Sequence, residues 1–123
     1  MAGYKTNIEK ENLENTYFRK VLFTAPHSQL VVMSLNPGEE IGMEVHHLDQ
    51  FIRFEKGEGR VILDGEEYAI KDDDVVVIPE GTEHNVINTS TTEPLKLYTI
   101  YSPPEHKDGT SHKTKAEADA AEH

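Results

Sequence analysis

Two stretches of this chain bring together residue types that bind divalent metals. The first runs from Pro37 to Gly57 and carries Glu44, His46, His47 and Gln50; the second runs from Asp73 to Asn88 and carries His84 behind the turn Pro79-Glu80-Gly81. On a strand, residues two apart share a face, so Glu44 and His46 project together, and His47 points the other way unless a bulge intervenes. Gln50 opens the next strand on the face that also carries Ile52 and Phe54 inward. A carboxylate, an imidazole and an amide oxygen can therefore converge, and a distant strand must supply the rest. His84 is the candidate, because the Pro-x-Gly turn aims it off the start of a strand. Two histidines and one carboxylate with open positions form the ligand pattern favoured by Fe(II), and Mn, Co, Ni or Zn can also occupy it. In such a site Glu44, or a bound hydroxide, is the nearest candidate base.

The elements that must hold these groups read as short apolar runs punctuated by turn residues. Strands are expected over 17–23, 29–35, 51–54, 60–63, 66–70, 75–78, 85–88 and 95–101, with Asn36-Pro37-Gly38 and Asp64-Gly65 as strong turns between them. No helix-length segment separates the strands, so the cadence argues for an antiparallel sandwich or barrel rather than βαβ units. Residues 1–15 are polar and read as an arm or irregular lead-in. Ser102-Pro103-Pro104 breaks the last strand, and Thr114 to Glu117 has capping-box spacing ahead of a short helix. The expectation is one domain over residues 1–123, with its core at about 16–102 and a tail at 103–123.

Composition narrows the partners. The net charge is −11, which repels phosphate backbones and acidic lipids and makes nucleic acid and membranes poor partners. There are no cysteines, which excludes disulfides and thiolate metal sites and fits a reducing cytoplasm. No apolar run approaches the roughly 18 residues of a membrane span, and no secretory h-region is visible at the start.

The two metal-ligating stretches resemble the paired motifs of the cupin superfamily. Gly38, five residues, Glu44-Val45-His46, three residues, Gln50, six residues and Gly57 keep the spacing of the first motif. Pro79-Glu80-Gly81, His84 and Asn88 keep the second, with Asp73 where the family has a glycine. The likeness spans roughly residues 30–102, and the Gln50-Phe51 start and the Tyr98-to-Pro104 ending are similar to small cupins of the mannose-6-phosphate-isomerase-like type. It implies an antiparallel double-sheet jelly-roll β-barrel with a divalent metal (Fe, Mn, Ni or Zn) on Glu44, His46, Gln50 and His84. Two substitutions depart from the family pattern: Glu44 stands for the first histidine and Gln50 for the glutamate. The carboxylate has moved, while the total ligand charge is unchanged.

The resemblance implies a metal-dependent enzyme on a small polar molecule, by dioxygenase or by isomerase or epimerase chemistry, with a non-catalytic small-ligand-binding barrel as the alternative. A sugar-phosphate isomerase would need cations near the site, and Arg53 is expected to point outward while Arg60 sits by a turn. Asn88 is expected to satisfy backbone groups at a strand end. His27, His106, His112 and His123 are expected at the surface, His106 and His112 having a second reading as groups folded over the pocket mouth. A cytoplasmic homodimer is expected, the N-terminal arm and C-terminal helix covering strand edges against a second subunit.

Overall fold

In the computed structural model of this protein, which describes residues 2–121, nine strands and two short helices follow in the order α1 (Ile8–Glu14), β1 (Arg19–Thr24), β2 (Gln29–Leu35), β3 (Asp49–Lys56), β4 (Glu58–Leu63), β5 (Glu66–Lys71), β6 (Val75–Ile78), β7 (His84–Asn88), β8 (Leu95–Ser102), β9 (Ser111–His112) and α2 (Lys115–Ala121). The strands form two antiparallel sheets. One has six strands in the order β6-β3-β8-β2-β1-β9, the other three in the order β5-β4-β7. This is a jelly roll, and its core of Val31, Met33, Leu35, Ile52, Phe54, Val61, Val86, Leu95 and Leu97 lies between the sheets. Alternation holds along β3, where Gln50, Ile52 and Phe54 are buried between less buried neighbours. Among the described residues no helix is long and apolar enough to cross a membrane.

The segment between β2 and β3 makes the site. It leaves the six-stranded sheet at Leu35, runs along the free side of β7, and returns to the large sheet at Asp49. Hydrogen bonds donated by Ile41 N to Val86 O (2.9 Å) and by Asn88 N to Glu39 O (2.9 Å) hold it there. Two buried asparagines secure it. Asn85 accepts from Gly42 N at 2.9 Å and donates to Glu40 at 3.1 Å. Asn88 donates to the carbonyls of Leu35, Asn36 and Glu93 and accepts from Ser90 N, so every polar group of its amide is engaged at the strand end.

Both ends of the chain hold more structure than expected. Residues 8–14 form a helix where an irregular arm was expected. Asn7 caps it by accepting from Lys10 N at 3.0 Å, and buried Lys96 ties its end to the sheet by donating to Asn15 O and Ser34 Oγ. Too short to persist alone, this helix depends on that docking. At the other end, β9 adds to the edge of β1 with Arg19 opposite His112, and α2 buries Ala118 in the chain's own core. Thr114 Oγ1 accepts from Glu117 N at 3.1 Å, and the Glu117 carboxylate accepts from Lys113 N at 2.6 Å, one residue earlier than in a regular capping box. The tail thus covers the β1 edge of its own subunit.

Close approach of strands restricts two glycines. A Cβ on Gly59 would lie 2.3 Å from the carbonyl oxygen of Ile87, and one on Gly57 (φ 119°) 2.9 Å from that of Pro94. Both obstacles are backbone, which cannot rotate away. Gly59→Ala is therefore expected to lower stability by about 2 kcal/mol or more, read as a fall in the chemical-denaturation midpoint. A midpoint within experimental error of the parent would contradict this packing.

Candidate metal centre

Glu44 and His84 face each other across the last bridge between the β2–β3 segment and β7. Glu44 N donates to His84 O at 2.8 Å and His84 N donates to Glu44 O at 2.9 Å. The paired backbones place the two side chains on one face. Two residues on, His46 shares that face, and its carbonyl accepts from Gly81 N at 3.0 Å. Asp49 accepts from Glu80 N at 2.9 Å, so the Pro79-Glu80-Gly81 turn is held by the stretch that carries the other ligands. Gly81, at φ 85°, supplies the left-handed residue that this turn needs.

The result is a cluster in which ligand atoms of Glu44, His46 and His84 all lie within 4.8 Å of one another. Gln50 joins from β3, buried to 4 % exposure. Its Nε2 donates to Thr99 Oγ1 at 3.1 Å, and its Oε1 is buried without a hydrogen-bond partner of good geometry. His84 shows the same polarity. Its Nδ1 lies 2.9 Å from Thr82 O, an acceptor only, so the proton sits on Nδ1 and the Nε2 lone pair is left buried and unpartnered. Leaving a buried acceptor unpaired costs about 1–3 kcal/mol each. A divalent cation satisfies these lone pairs together with the Glu44 carboxylate, so the donor set fits a metal of the Fe, Mn, Ni or Zn kind.

Charge within the cluster is organised around Glu44. Its Oε2 lies 3.1 Å from His46 Nε2. Burial raises the Glu44 carboxyl, but the hydrogen bond and charge of His46, with the charges of Arg19 and His84, outweigh it and hold the group below the ordinary carboxylate range. Burial lowers His46, and the hydrogen bond and charge of Glu44, with smaller contributions from Glu105 and Gln50, more than reverse this and raise it. A carboxylate held low is better suited to a cation than to taking up a proton at neutral pH.

Glu44, His46 and His84 come together, Gln50 is in hydrogen-bonding reach of His46, and His47 is exposed. His106 is a correction to the expected surface set. Buried Gln29 clamps the tail by accepting from Glu105 N and His106 N and donating to His106 O at 2.7 Å. The clamp sets the His106 ring 5.3 Å from that of Tyr101, which in turn lies 5.9 Å from His46. There burial, with the charges of Arg19, His46 and His112, pushes His106 down to about 4 against the opposing pull of Glu44. His112 is likewise part-buried, on β9 beside Arg19; His123 lies outside the described residues.

Arg19 is a site residue that the sequence reading passed over. It is 3 % exposed and lines a cavity with Glu44, although its alternation with buried Val21 marks it as inward-facing. Arg53 and Arg60 are engaged elsewhere, by Glu55 and Asp73 and by Glu67 respectively. A larger cavity, about 560 Å3, lies by Lys56, Gly57 and Lys96, away from the cluster and lined by none of its members.

Comparison with known proteins agrees with this architecture. The family model described as "Cupin domain" matches residues 31–101. The chain is 47 % identical over 126 aligned residues to the uncharacterized protein YrkC of Bacillus subtilis strain 168, covering 97 % of this chain and 67 % of that protein. It is also 47 % identical over 111 residues to an uncharacterized protein of Acanthamoeba polyphaga mimivirus, covering 86 % of this chain and 69 % of the relative. The crystal structure of BH2720 from Bacillus halodurans superposes with a TM-score of 0.94 at 46 % identity, over 97 % of this chain and 95 % of that one.

The pair Glu44–His46 makes the cluster respond to pH in opposite ways with and without a cation. In the metal-free protein the raised His46 gives stability fully present below 6.5 and lost as pH rises through its folded value. The lowered Glu44 gives stability present above 4.5 and lost as pH falls through its own. The pair thus stabilises the fold most between these two values. A cation instead requires His46 neutral. The rise in melting temperature caused by added Zn(II) or Mn(II) is therefore expected to grow from about pH 5.5 to about pH 8. A rise that is flat, or larger at the acid end, would contradict the assigned ligand.

Proposed function

The chain belongs to the cupin family, and on that premise we propose that it is a divalent-metal protein with Glu44, His46 and His84 as ligands and Gln50 as the fourth donor, acting as an enzyme on a small polar molecule. The supporting observation is the buried and unpartnered acceptor His84 Nε2 in a cluster with ligand atoms of Glu44 and His46, with the Gln50 amide buried beside His46. The metal would supply Lewis acidity toward a carbonyl or carboxylate, suiting isomerase or epimerase chemistry, or with iron the handling of dioxygen.

The chain's own groups divide the remaining work. The Thr82 carbonyl orients His84, and the Thr99 hydroxyl hydrogen-bonds the Gln50 amide. Glu44 is the more open member of its pair, with 29 % of its side chain exposed against 11 % for His46, and so lies at the border between ligand set and cavity. Tyr101 packs edge-on against His46, and His106 edge-on against Tyr101.

Calorimetric titration with Mn(II), Co(II) and Zn(II) tests the assignment. His84→Ala is expected to weaken binding about 100-fold or more, and Gln50→Ala about 10-fold, while His47→Ala leaves it unchanged. Variants that retain the parent's affinity with an unchanged circular dichroism spectrum would overturn the ligand set.

A further inference from the structure

The six-stranded sheet has a second face, turned away from the core, and one row across it is wholly apolar. Strand pairing sets Val77 beside Phe51, Phe51 beside Ile100, Ile100 beside Leu30 and Leu30 beside Phe23, so the row crosses β6, β3, β8, β2 and β1. Their sequence neighbours Gln50, Ile52, Thr99, Tyr101, Gln29 and Val31 are buried, so alternation turns the row outward. Phe51, Ile100, Leu30 and Phe23 stay partly exposed, and Val77, on the free edge strand, is 60 % exposed. Tyr98 and Val75 extend the face in the adjoining row, the Tyr98 ring lying 6.3 Å from that of Phe51. At the other end Tyr4 stacks on Phe23 at 5.2 Å and is itself 43 % exposed, so it lengthens the row.

Charge and size point to what covers this face. The row carries no charge, and in the adjoining one Arg53 is met by Glu55 and Asp73. The chain as a whole carries −11, so two copies repel each other wherever their acids meet. On this face a second copy meets little opposing charge. Four strand-to-strand steps of about 4.8 Å make the row about 19 Å wide, and with the adjoining row the patch covers on the order of 400 Å2. Patches of that size on a lone chain often mark an interaction site, and this one is about half of the roughly 800 Å2 that each partner of a stable complex buries. The Tyr4 arm and the polar surround supply the remainder as a rim. We propose that a second copy of this chain docks here, forming a two-fold dimer in which the outer faces of the two large sheets pack together. The same patch serves both partners, so the contact closes on itself. Gln50, Thr99 and Tyr101 lie on the inner side of the same strands, so the dimer backs one wall of the metal centre. It does not depend on a metal being bound.

Sedimentation velocity from about 1 μM to about 100 μM tests the proposal, and a concentration-dependent species of twice the chain mass is expected. Ile100→Lys, at the centre of the row, and Val77→Lys, at its edge, should each raise the dimer dissociation constant about ten-fold or more. Val45→Lys, at a residue 52 % exposed in the β2–β3 segment, should leave it unchanged. Added salt should tighten the dimer, because it screens the repulsion between two acidic chains. If Ile100→Lys does not fold, Val77→Lys carries the comparison, and Ile100→Cys adds a second readout. The chain has no cysteine of its own, so that single thiol should react about ten-fold or more slowly with a thiol reagent in the dimer than after dilution. A parent that stays monomeric throughout overturns the proposal and leaves the face to a protein of another kind. So does a dimer that keeps its affinity in the folded lysine variants at Ile100 and Val77, that Val45→Lys disrupts as strongly, or that salt loosens.

Discussion

The site depends on one pair of backbone hydrogen bonds, those exchanged between Glu44 and His84. These residues are 40 positions apart and belong to segments that reach the site from different directions. The reciprocal bonds convert that separation into a fixed cross-strand pair with side chains on one face. The surrounding structure serves this pairing. Asn85 and Asn88 bind the β2–β3 segment to β7, and Asp49 and the His46 carbonyl hold the turn that precedes His84. The large sheet contributes Gln50, Thr99 and Tyr101 from paired strands β3 and β8, so the cluster closes only when the two sheets are stacked.

Against that rigidity stands a local cost. Buried acceptors without partners oppose folding. The chain places several of these at the cluster; near Lys96, which donates to Asn15 and Ser34, buried Asn12 also has an unpartnered amide. The unpartnered lone pairs at the cluster destabilise the empty protein and prepare it for a cation that relieves them.

Much of this was legible from alternation and turn chemistry. The faces of Glu44, His46, His47, Gln50, Ile52 and Phe54 follow from a period of two, and Asn88 behaves as a strand-end residue should. The departure of Asp73 from the family's glycine also has a physical basis, since Asp73 adopts φ 73°, a left-handed conformation that aspartate tolerates better than most residues. Other features were hidden because they arise from contacts distant in sequence. The first helix has no apolar stripe and depends on Lys96. His106 sits in a polar tail and is brought to the site by Gln29, 77 residues earlier. Arg19 did carry a signal, its alternation with Val21, but a charge in a strand is easily read as a solvated one.

The most direct test of the central claim is elemental analysis of the protein purified without a metal-affinity column. The account predicts close to one iron, manganese, nickel or zinc per chain in the parent, or its recovery on incubation with the ion followed by desalting, and loss of that metal in His84→Ala. A parent that holds no metal and regains none would contradict the account and leave a barrel that binds a small molecule through its polar groups alone.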